Sequence, residues 1–148
     1  MPSPLPFPLP FLLLLLPACS STSPRIRVHT DQAPAVIGPY SQAIQVGNAL
    51  FLAGQIGMSP RSGQLVAGGV EAETEQALRN IEGVLESRGF GLGDVVQAQV
   101  FLADLADYAR MNAVYARYFQ ENPPARAAVQ VARLPRDARV EIMVTAFR

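Results

Sequence analysis

Two stretches of the chain repeat apolar side chains at the spacing of a helix. The range Glu71–Arg88 is predicted as a helix, with acidic residues in its first turn and Gly89 where a C-cap belongs. Its apolar positions at helical spacing are Ala77, Leu78, Ile81, Val84 and Leu85. The range Asp107–Gln120 is predicted as a second helix, which the segment Asn122-Pro123-Pro124 ends. One side of that helix carries Tyr108, Met111, Tyr115 and Phe119.

Short apolar runs between turn residues predict strands on both sides of these helices. Ser41–Val46 and Ala49–Gly54 are separated by Gly47-Asn48, a pair that tolerates the positive φ of a tight hairpin. The other predicted strands are Gln64–Val66, Asp94–Leu102, Arg126–Arg133 and Arg139–Phe147. The order βββ-α-β-α-ββ is typical of an α+β fold, with a single sheet covered on one face by two helices.

The first 24 residues differ from the rest of the chain. Pro alternates with Leu and Phe, an apolar run follows, and Pro17-Ala18-Cys19 closes it. We interpret residues 1–24 as a signal peptide with a lipobox-like end, in which Cys19 is lipidated and anchors an exported, periplasmic protein to the membrane. A mis-called start codon is the alternative, and the protein is then cytoplasmic. The domain proper is predicted as residues 25–148.

Composition narrows the chemistry that this domain can perform. The chain has 148 residues, the length of about one domain, and its 12 Lys and Arg balance its 12 Asp and Glu. A neutral chain argues against nucleic-acid binding, which depends on neutralising phosphates. One Cys and one His exclude a disulfide framework and a zinc site of Cys and His. We therefore expect no metal site of this kind, and chemistry carried by Arg, Glu, Tyr, Asn and backbone.

Two charged residues stand where the strand pattern favours apolar ones. In the last strand Ile142 and Val144 share one face, and Met143 lies on the other with Glu141. Helices cover one face of a sheet, so the apolar second face predicts an oligomer. Arg126 opens the preceding strand beside small residues, which leaves room for a guanidinium to bind a carboxylate through paired hydrogen bonds. An ion pair of structural importance alone remains the alternative for these two residues.

Other residues carry weaker signals. Asn112 lies within one turn of Tyr108 and Tyr115, and a lone Asn at such a place is more often a cap or forms a hydrogen bond from the helix to a loop. The segment Ile37-Gly38-Pro39-Tyr40 predicts a rigid turn that holds the Tyr40 ring. His29 is predicted to be exposed at the edge of the domain, without a function.

Three segments together resemble the YjgF/RidA family of reactive-intermediate deaminases. They are APAVIGPYSQAIQVGNALFLAGQIG (33–57), VFLADLADYARMNAVYARYF (100–119) and PPARAAVQVARLPRDARVEIMVTA (123–146). The resemblance implies a chorismate-mutase-like fold, a homotrimer with sites between subunits, and no cofactor. It also implies hydrolysis of 2-iminobutanoate and 2-iminopropanoate to 2-ketoacids and ammonia.

The resemblance assigns roles residue by residue. The carboxylate-binding arginine falls on Arg126 and the water-positioning acid on Glu141. Substrate contacts fall on Tyr40, Asn112 and the backbone at Gly54.

Two positions depart from the family pattern. A frequent Ser is Ala53 here, and a frequent Cys in the substrate-binding wall is Ala128. Both reshape the pocket without removing the reaction, since water is the nucleophile. The alternative function is a trimer of the same fold that binds small carboxylates without turnover, or that serves as a scaffold or holdase.

Overall fold

The structure, a computed structural model, describes residues 23–148 as one seven-stranded sheet with two helices on one face. The strands are β1 (Arg25–Val28), β2 (Ala43–Val46), β3 (Ala49–Leu52), β4 (Gln55–Ile56), β5 (Val95–Leu102), β6 (Ala125–Gln130) and β7 (Val140–Phe147). The helices are α1 (Gly69–Glu86) and α2 (Tyr108–Tyr118). The spatial order of strands is β1-β2-β3-β7-β5-β6, and β4 also pairs with β7. The pair β5–β6 is parallel and the other pairs are antiparallel. The predicted α+β, chorismate-mutase-like fold is confirmed.

The core forms where α1 and α2 cover one face of the sheet. The five apolar positions that predicted α1 are all fully buried. Burial of each of the four larger side chains among them, those of Leu78, Ile81, Val84 and Leu85, contributes about 1.5–3 kcal/mol. The sheet side of the core comes from alternate residues of the central strands: Ala98, Val100, Leu102, Val140, Ile142, Val144 and Ala146. Gly89 ends α1 as predicted, since its φ of 71° lets the Phe90 amide turn back to the Leu85 carbonyl.

A one-residue bulge separates β3 from β4. Phe51 pairs with Thr145 and Gln55 pairs with Ile142, so three residues (52–54) face two residues (143–144) of β7. The bulge explains why the run predicted as a single strand, Ala49–Gly54, stops at Leu52. It also turns the backbone of Gly54 toward β7.

Two strand predictions need correction. The predicted strand Gln64–Val66 is wrong, because this segment makes only an isolated bridge between Leu65 and Met58. Strand β1 was not predicted, since three of its four residues are exposed and it gives no apolar signal. It forms because its backbone pairs with the edge of β2.

The leader prediction concerns residues 1–24, of which residues 1–22, including Cys19, lie outside the described residues. In the part of the chain that is described, neither helix has the length and apolar content needed to cross a membrane.

The face of the sheet opposite the helices is apolar and open. Phe51, Val129 and Phe147 lie on this open face, and each is about half exposed, at 48%, 47% and 57%. Glu141 lies on the same face, directly opposite Phe101 of β5. Met143 and Phe147 share this second face with Glu141, as predicted, and neither α1 nor α2 covers it.

Candidate active site

Glu141 lies in a mostly apolar cavity of about 350 Å³ on the open face. The cavity is lined, among others, by Val36, Ile37, Tyr40, Gly54, Met58 and Glu141. Burial raises the pKa of the Glu141 carboxyl above its ordinary value. Among the described residues this carboxylate has no salt-bridge or hydrogen-bond partner. An acid that is partly desolvated and unpaired is suited to proton transfer.

Gly54 lies directly against Glu141. A Cβ atom at this position would overlap the Glu141 carboxylate, so the observed position of the carboxylate requires a glycine here. Ala53 is held beside it by a hydrogen bond of 2.9 Å from its amide to the Gln42 carbonyl. The structure therefore brings together the predicted site residues Gly54 and Glu141.

The turn at residues 37–40, before β2, forms one wall of the Glu141 cavity. The Tyr40 amide donates a hydrogen bond of 2.9 Å to the Gly38 carbonyl, and the Tyr40 ring packs against Gly38. Tyr40 is half exposed, at 50%, so one side of its ring is open to a ligand. Residues 37–40 form a turn, as predicted, with the Tyr40 ring beside Gly38.

Gln42 is a site residue that the sequence did not indicate. Its side chain is buried, and its amide nitrogen donates to the carbonyls of Thr30, Ala33 and Pro34 at 2.9, 3.2 and 2.9 Å. Its amide oxygen accepts the Thr30 amide at 2.7 Å. These bonds fix the loop that forms one side of the cavity. A glutamine at a strand end carries no pattern that could have revealed this role.

Arg126 lies in a second cluster, between β6 and α2. Its guanidinium is 4.4 Å from the Tyr115 ring centroid and 5.9 Å from that of Tyr108, distances that allow cation–π attraction. It donates a hydrogen bond of 3.2 Å to the Tyr108 hydroxyl. In the described chain no carboxylate pairs with Arg126. The guanidinium is therefore held by aromatic rings and is free to bind an anion.

Two open cavities meet at Arg126. One, of about 480 Å³, is lined by Asn112, Tyr115, Ala116, Phe119, Pro123, Pro124 and Arg126. The other, of about 490 Å³, is lined by Leu105, Tyr108, Arg126 and Ala128. The predicted residues Arg126, Asn112 and Ala128 thus form one cluster. Tyr108 belongs to it as well, although the sequence pattern assigned it to the apolar side of α2.

Tyr115 forms the floor of the Arg126 cluster. Its ring stacks on Phe119 with 4.6 Å between the centroids. Its hydroxyl is buried without a hydrogen-bond partner among the described residues, and burial raises the pKa of Tyr115 to about 12. A neutral, buried ring at this place supports the guanidinium without competing for an anion.

One chain does not bring Arg126 and Glu141 together. Arg126 pairs with Ala98, whose side chain is buried under the helices, whereas Glu141 pairs with Phe101 on the open face. The two residues are three positions apart along the strands and two strand spacings apart across the sheet. Their Cα atoms are therefore about 14 Å apart, and their side chains lie on opposite faces of the sheet. The alternative of an ion pair between them is therefore wrong within the described chain. His29 is exposed, as predicted.

Comparison with known proteins finds relatives that match most of the chain. The family model described as Endoribonuclease L-PSP matches residues 30–148. The mouse 2-iminobutanoate/2-iminopropanoate deaminase is 50% identical over 121 residues, which cover 82% of this chain and 90% of that protein. RidA from an Antarctic Psychrobacter superposes with a TM-score of 0.80 at 43% identity, over 83% of this chain and 99% of that one. E. coli TdcF with bound serine superposes with a TM-score of 0.80 at 37% sequence identity, over 83% of this chain and 98% of that one.

These comparisons correct the interpretation of the first 24 residues. The family match begins at residue 30, and the mouse relative is named as a deaminase with 90% of its length matched. Neither finding supports a signal peptide or a lipoprotein. The assignment of an exported protein anchored through Cys19 is therefore withdrawn.

Proposed function

The chain belongs to the endoribonuclease L-PSP family, also called YjgF/RidA, and from this we propose that it hydrolyses 2-iminobutanoate and 2-iminopropanoate to 2-ketoacids and ammonia. The observation that carries the proposal is that, within residues 23–148, neither the Arg126 guanidinium nor the Glu141 carboxylate has an ion-pair partner, and each lines a cavity. The mouse relative that bears the name of this activity is 50% identical to the chain. No cofactor is needed for this reaction, because an imine carbon is already electrophilic.

Substrate binding depends on Arg126 in this proposal. Both imines carry a carboxylate, and a guanidinium binds a carboxylate through two parallel hydrogen bonds. The E. coli relative TdcF, with bound serine, holds a ligand that also carries a carboxylate. Asn112 orients the substrate from α2, and Ala128 leaves space beside the guanidinium. Fixing the carboxylate turns a collision into a held geometry, which lowers the entropic part of the barrier.

Glu141 supplies proton transfer. Its carboxylate accepts a proton from water as the water oxygen forms a bond to the imine carbon. With the imine in its protonated form, this addition gives a neutral carbinolamine. The Glu141 carboxyl then returns the proton to the amine nitrogen, and the carbon–nitrogen bond breaks to release ammonia while the hydroxyl oxygen loses its proton to solvent and becomes the carbonyl of the 2-ketoacid. A carboxyl whose pKa is raised by burial is a better base for this transfer than an exposed one. The Tyr40 ring and the Gly54 backbone pack against the substrate.

The site requires two copies of the chain, because Arg126 and Glu141 lie on opposite faces of one sheet. We infer that the Arg126 cluster of one copy faces the Glu141 cavity of the next, in a homotrimer with three equivalent sites. The exposed apolar residues Phe51, Val129 and Phe147 on the open face support this assembly, since contact with another copy would remove them from water. A head-to-tail contact that closes after three copies leaves no site incomplete.

The substrate pocket differs from the usual family pattern at two positions. Ala53 and Ala128 stand where a Ser and a Cys are frequent, so both walls lose a polar atom and some volume is freed. We expect these changes to alter the rates on imines of different side-chain length rather than the reaction itself.

The test is ammonia release from imines made in situ. A pyridoxal-dependent dehydratase acting on serine or threonine supplies 2-iminopropanoate or 2-iminobutanoate, and the protein should accelerate release of ammonia and 2-ketoacid. Arg126→Ala should lose at least about 100-fold of kcat/KM, since two charge-assisted hydrogen bonds are removed. Arg61→Ala, an exposed arginine in a distant turn, is the matched control.

Two outcomes would contradict the proposal. Full activity of Arg126→Ala would refute the assigned carboxylate site. Saturable binding of 2-ketoacids without ammonia release would indicate a binding protein of the same fold, and absence of both binding and turnover would indicate a scaffold.

A further inference from the structure

The Tyr108 hydroxyl lies at the mouth of the Arg126 cluster. Tyr108 is the first residue of α2 and lines one cavity together with Leu105, Arg126 and Ala128. It is 39% exposed, so its ring edge is open to the space that Arg126 faces. The nitrogen Nη2 of Arg126 donates to the Tyr108 oxygen at 3.2 Å. Any anion held by Arg126 in this cavity therefore lies within reach of the phenol.

The Tyr108 hydroxyl can accept a hydrogen bond from Arg126 and still donate one to another group. A guanidinium can only donate, so the Tyr108 oxygen is the acceptor in its bond with Arg126. The proton of the Tyr108 hydroxyl is not used in this bond. The hydrogen bond with the Asn112 amide lowers the pKa of Tyr108, as expected where the amide donates to the phenol oxygen, and no hydrogen bond among the described residues has the Tyr108 hydroxyl as its donor. Tyr108 thus presents a spare donor beside the guanidinium.

The neighbours of Tyr108 strengthen that donor. Contact with the Asn112 amide, one turn along α2, and the positive charge of Arg126 lower the pKa of Tyr108. Both favour negative charge on the phenol oxygen, and a more acidic phenol is a stronger hydrogen-bond donor. Tyr115 behaves in the opposite way, since its buried hydroxyl has a raised pKa and no access to the cavity solvent.

Support of the guanidinium does not depend on the Tyr108 hydroxyl. The Tyr115 ring already lies 4.4 Å from the Arg126 guanidinium carbon, closer than the Tyr108 ring at 5.9 Å. Loss of the Tyr108 oxygen would leave this stacking in place. The hydroxyl is therefore available for a ligand rather than required for the position of Arg126.

We propose that the Tyr108 hydroxyl donates a hydrogen bond to the substrate carboxylate and so acts with Arg126 as a second substrate-binding group. This inference rests on the proposed function, because it assumes that Arg126 binds the carboxylate of a 2-imino acid. A carboxylate accepts about four hydrogen bonds, so it can take two from the arginine and one from the phenol. The hydroxyl contributes to binding and leaves the proton transfer at Glu141 unchanged.

The test compares Tyr108→Phe with the wild type. This variant keeps the ring and removes the oxygen. We expect the Kd for 2-oxobutanoate, measured by calorimetry, and the KM for 2-iminobutanoate to rise about tenfold, with kcat within about twofold. Tyr118→Phe is the matched control on the same helix, because the Tyr118 hydroxyl binds Glu75 instead of facing this cavity. The control should leave Kd and KM unchanged.

A second background separates direct contact from an effect through Arg126. In Arg126→Lys, Tyr108→Phe should weaken binding of 2-oxobutanoate by a similar factor if the phenol touches the carboxylate. Loss of the effect in that background, or an unchanged Kd in the single variant, overturns the inference. Absence of 2-oxobutanoate binding by the wild type also overturns it. Binding without ammonia release contradicts the proposed function, while the Kd comparison still decides the role of Tyr108.

Discussion

Gly54 and Glu141 contact each other across the bulge that interrupts β3 and β4. The extra residue in this segment brings the Gly54 backbone so close to β7 that a side chain at Gly54 would occupy the space of the Glu141 carboxylate. A glycine is thus needed here for space and not for an unusual φ, since Gly54 is not among the residues with positive φ. The position of the proposed base depends on a missing side chain.

Gly54→Ala should displace the Glu141 carboxylate while leaving the fold intact. The end of a glutamate side chain can rotate away, so we expect a stability loss of about 1 kcal/mol or less and at least about a tenfold loss of kcat/KM. Ammonia release and thermal unfolding measure the two effects separately. Gly91→Ala, where a new Cβ meets nothing within 4 Å, is the matched control. Full activity of Gly54→Ala would show that the Glu141 position tolerates movement.

Glu141→Gln should lower activity and raise stability at neutral pH. Burial raises the pKa of Glu141 in the folded state, so the protonated form is favoured there. The protonated Glu141 stabilises the fold at pH values below the pKa of this residue in the unfolded chain. This stabilisation is lost as the pH rises through the higher pKa of Glu141 in the folded protein. At pH 7 the ionised carboxylate therefore costs stability, which a neutral glutamine does not.

The measurements are Tm at pH 7 and pH 4 and the rate of imine hydrolysis. We expect the Tm of Glu141→Gln to exceed that of the wild type at pH 7 and the difference to shrink toward pH 4, with activity about 100-fold lower. Glu121→Gln, at an exposed position, should change neither. An equal Tm difference at both pH values would contradict desolvation as the cause.

The parts of the fold that the sequence predicted are those with a periodic apolar pattern. Both helices and strand β7 were predicted to within about two residues of their observed ends because their buried residues repeat at fixed spacing. Strand β1 lacks such a pattern, since Val28 alone is buried, and its formation depends on pairing with β2. The bulge at residues 52–54 depends on the register of two strands, which a single segment does not reveal.

The candidate site was predictable where polarity conflicts with the strand pattern. Arg126 and Glu141 stand at strand positions beside apolar or small residues, and this conflict marked both. Tyr108 fits the apolar side of α2, so its contact with Arg126, 18 residues away, gave no signal. Gln42 likewise acts through bonds to a loop 8 to 12 residues earlier. Contacts of this kind exist only after folding.

Asp107→Asn should weaken the fold, and more at neutral than at acid pH. Asp107 is buried and binds Arg110 and Arg139; although burial acts to raise its pKa, these hydrogen bonds lower it. The stabilisation that ionised Asp107 gives the fold is present at pH values above the pKa of Asp107 in the unfolded chain. It is lost as the pH falls through the pKa of Asp107 in the folded protein. Both arginines are about half exposed, so we expect a loss of about 1–2 kcal/mol at pH 7.

Urea unfolding at pH 7 and near pH 3 checks this expectation. The difference between Asp107→Asn and the wild type should shrink at the lower pH. Asp137→Asn removes an exposed pair with Arg133 and should cost less stability than Asp107→Asn. A loss for Asp107→Asn no larger than that of the control would mean that the buried pairing adds little.

Mixing two inactive variants should restore activity, because the Arg126 and Glu141 half-sites lie on opposite faces of one chain. Arg126→Ala keeps an intact Glu141 cavity, and Glu141→Gln keeps an intact Arg126 cluster. In equal co-assembly, a site between copies is intact when each neighbour contributes its unaltered half, which has a chance of about one half for each. We therefore expect about one quarter of wild-type ammonia release after the two variants are unfolded and refolded together.

The matched control combines two variants that are damaged in the same half-site. Gly54→Ala and Glu141→Gln both alter the Glu141 cavity, so every site in their mixture keeps one damaged half. Activity of that mixture should not exceed the mean of the two separate proteins. Recovery in the first mixture alone requires a site shared between copies, since a site built within one chain would carry a defect in both variants. No recovery in either mixture, with assembly verified by light scattering, would refute a site between subunits.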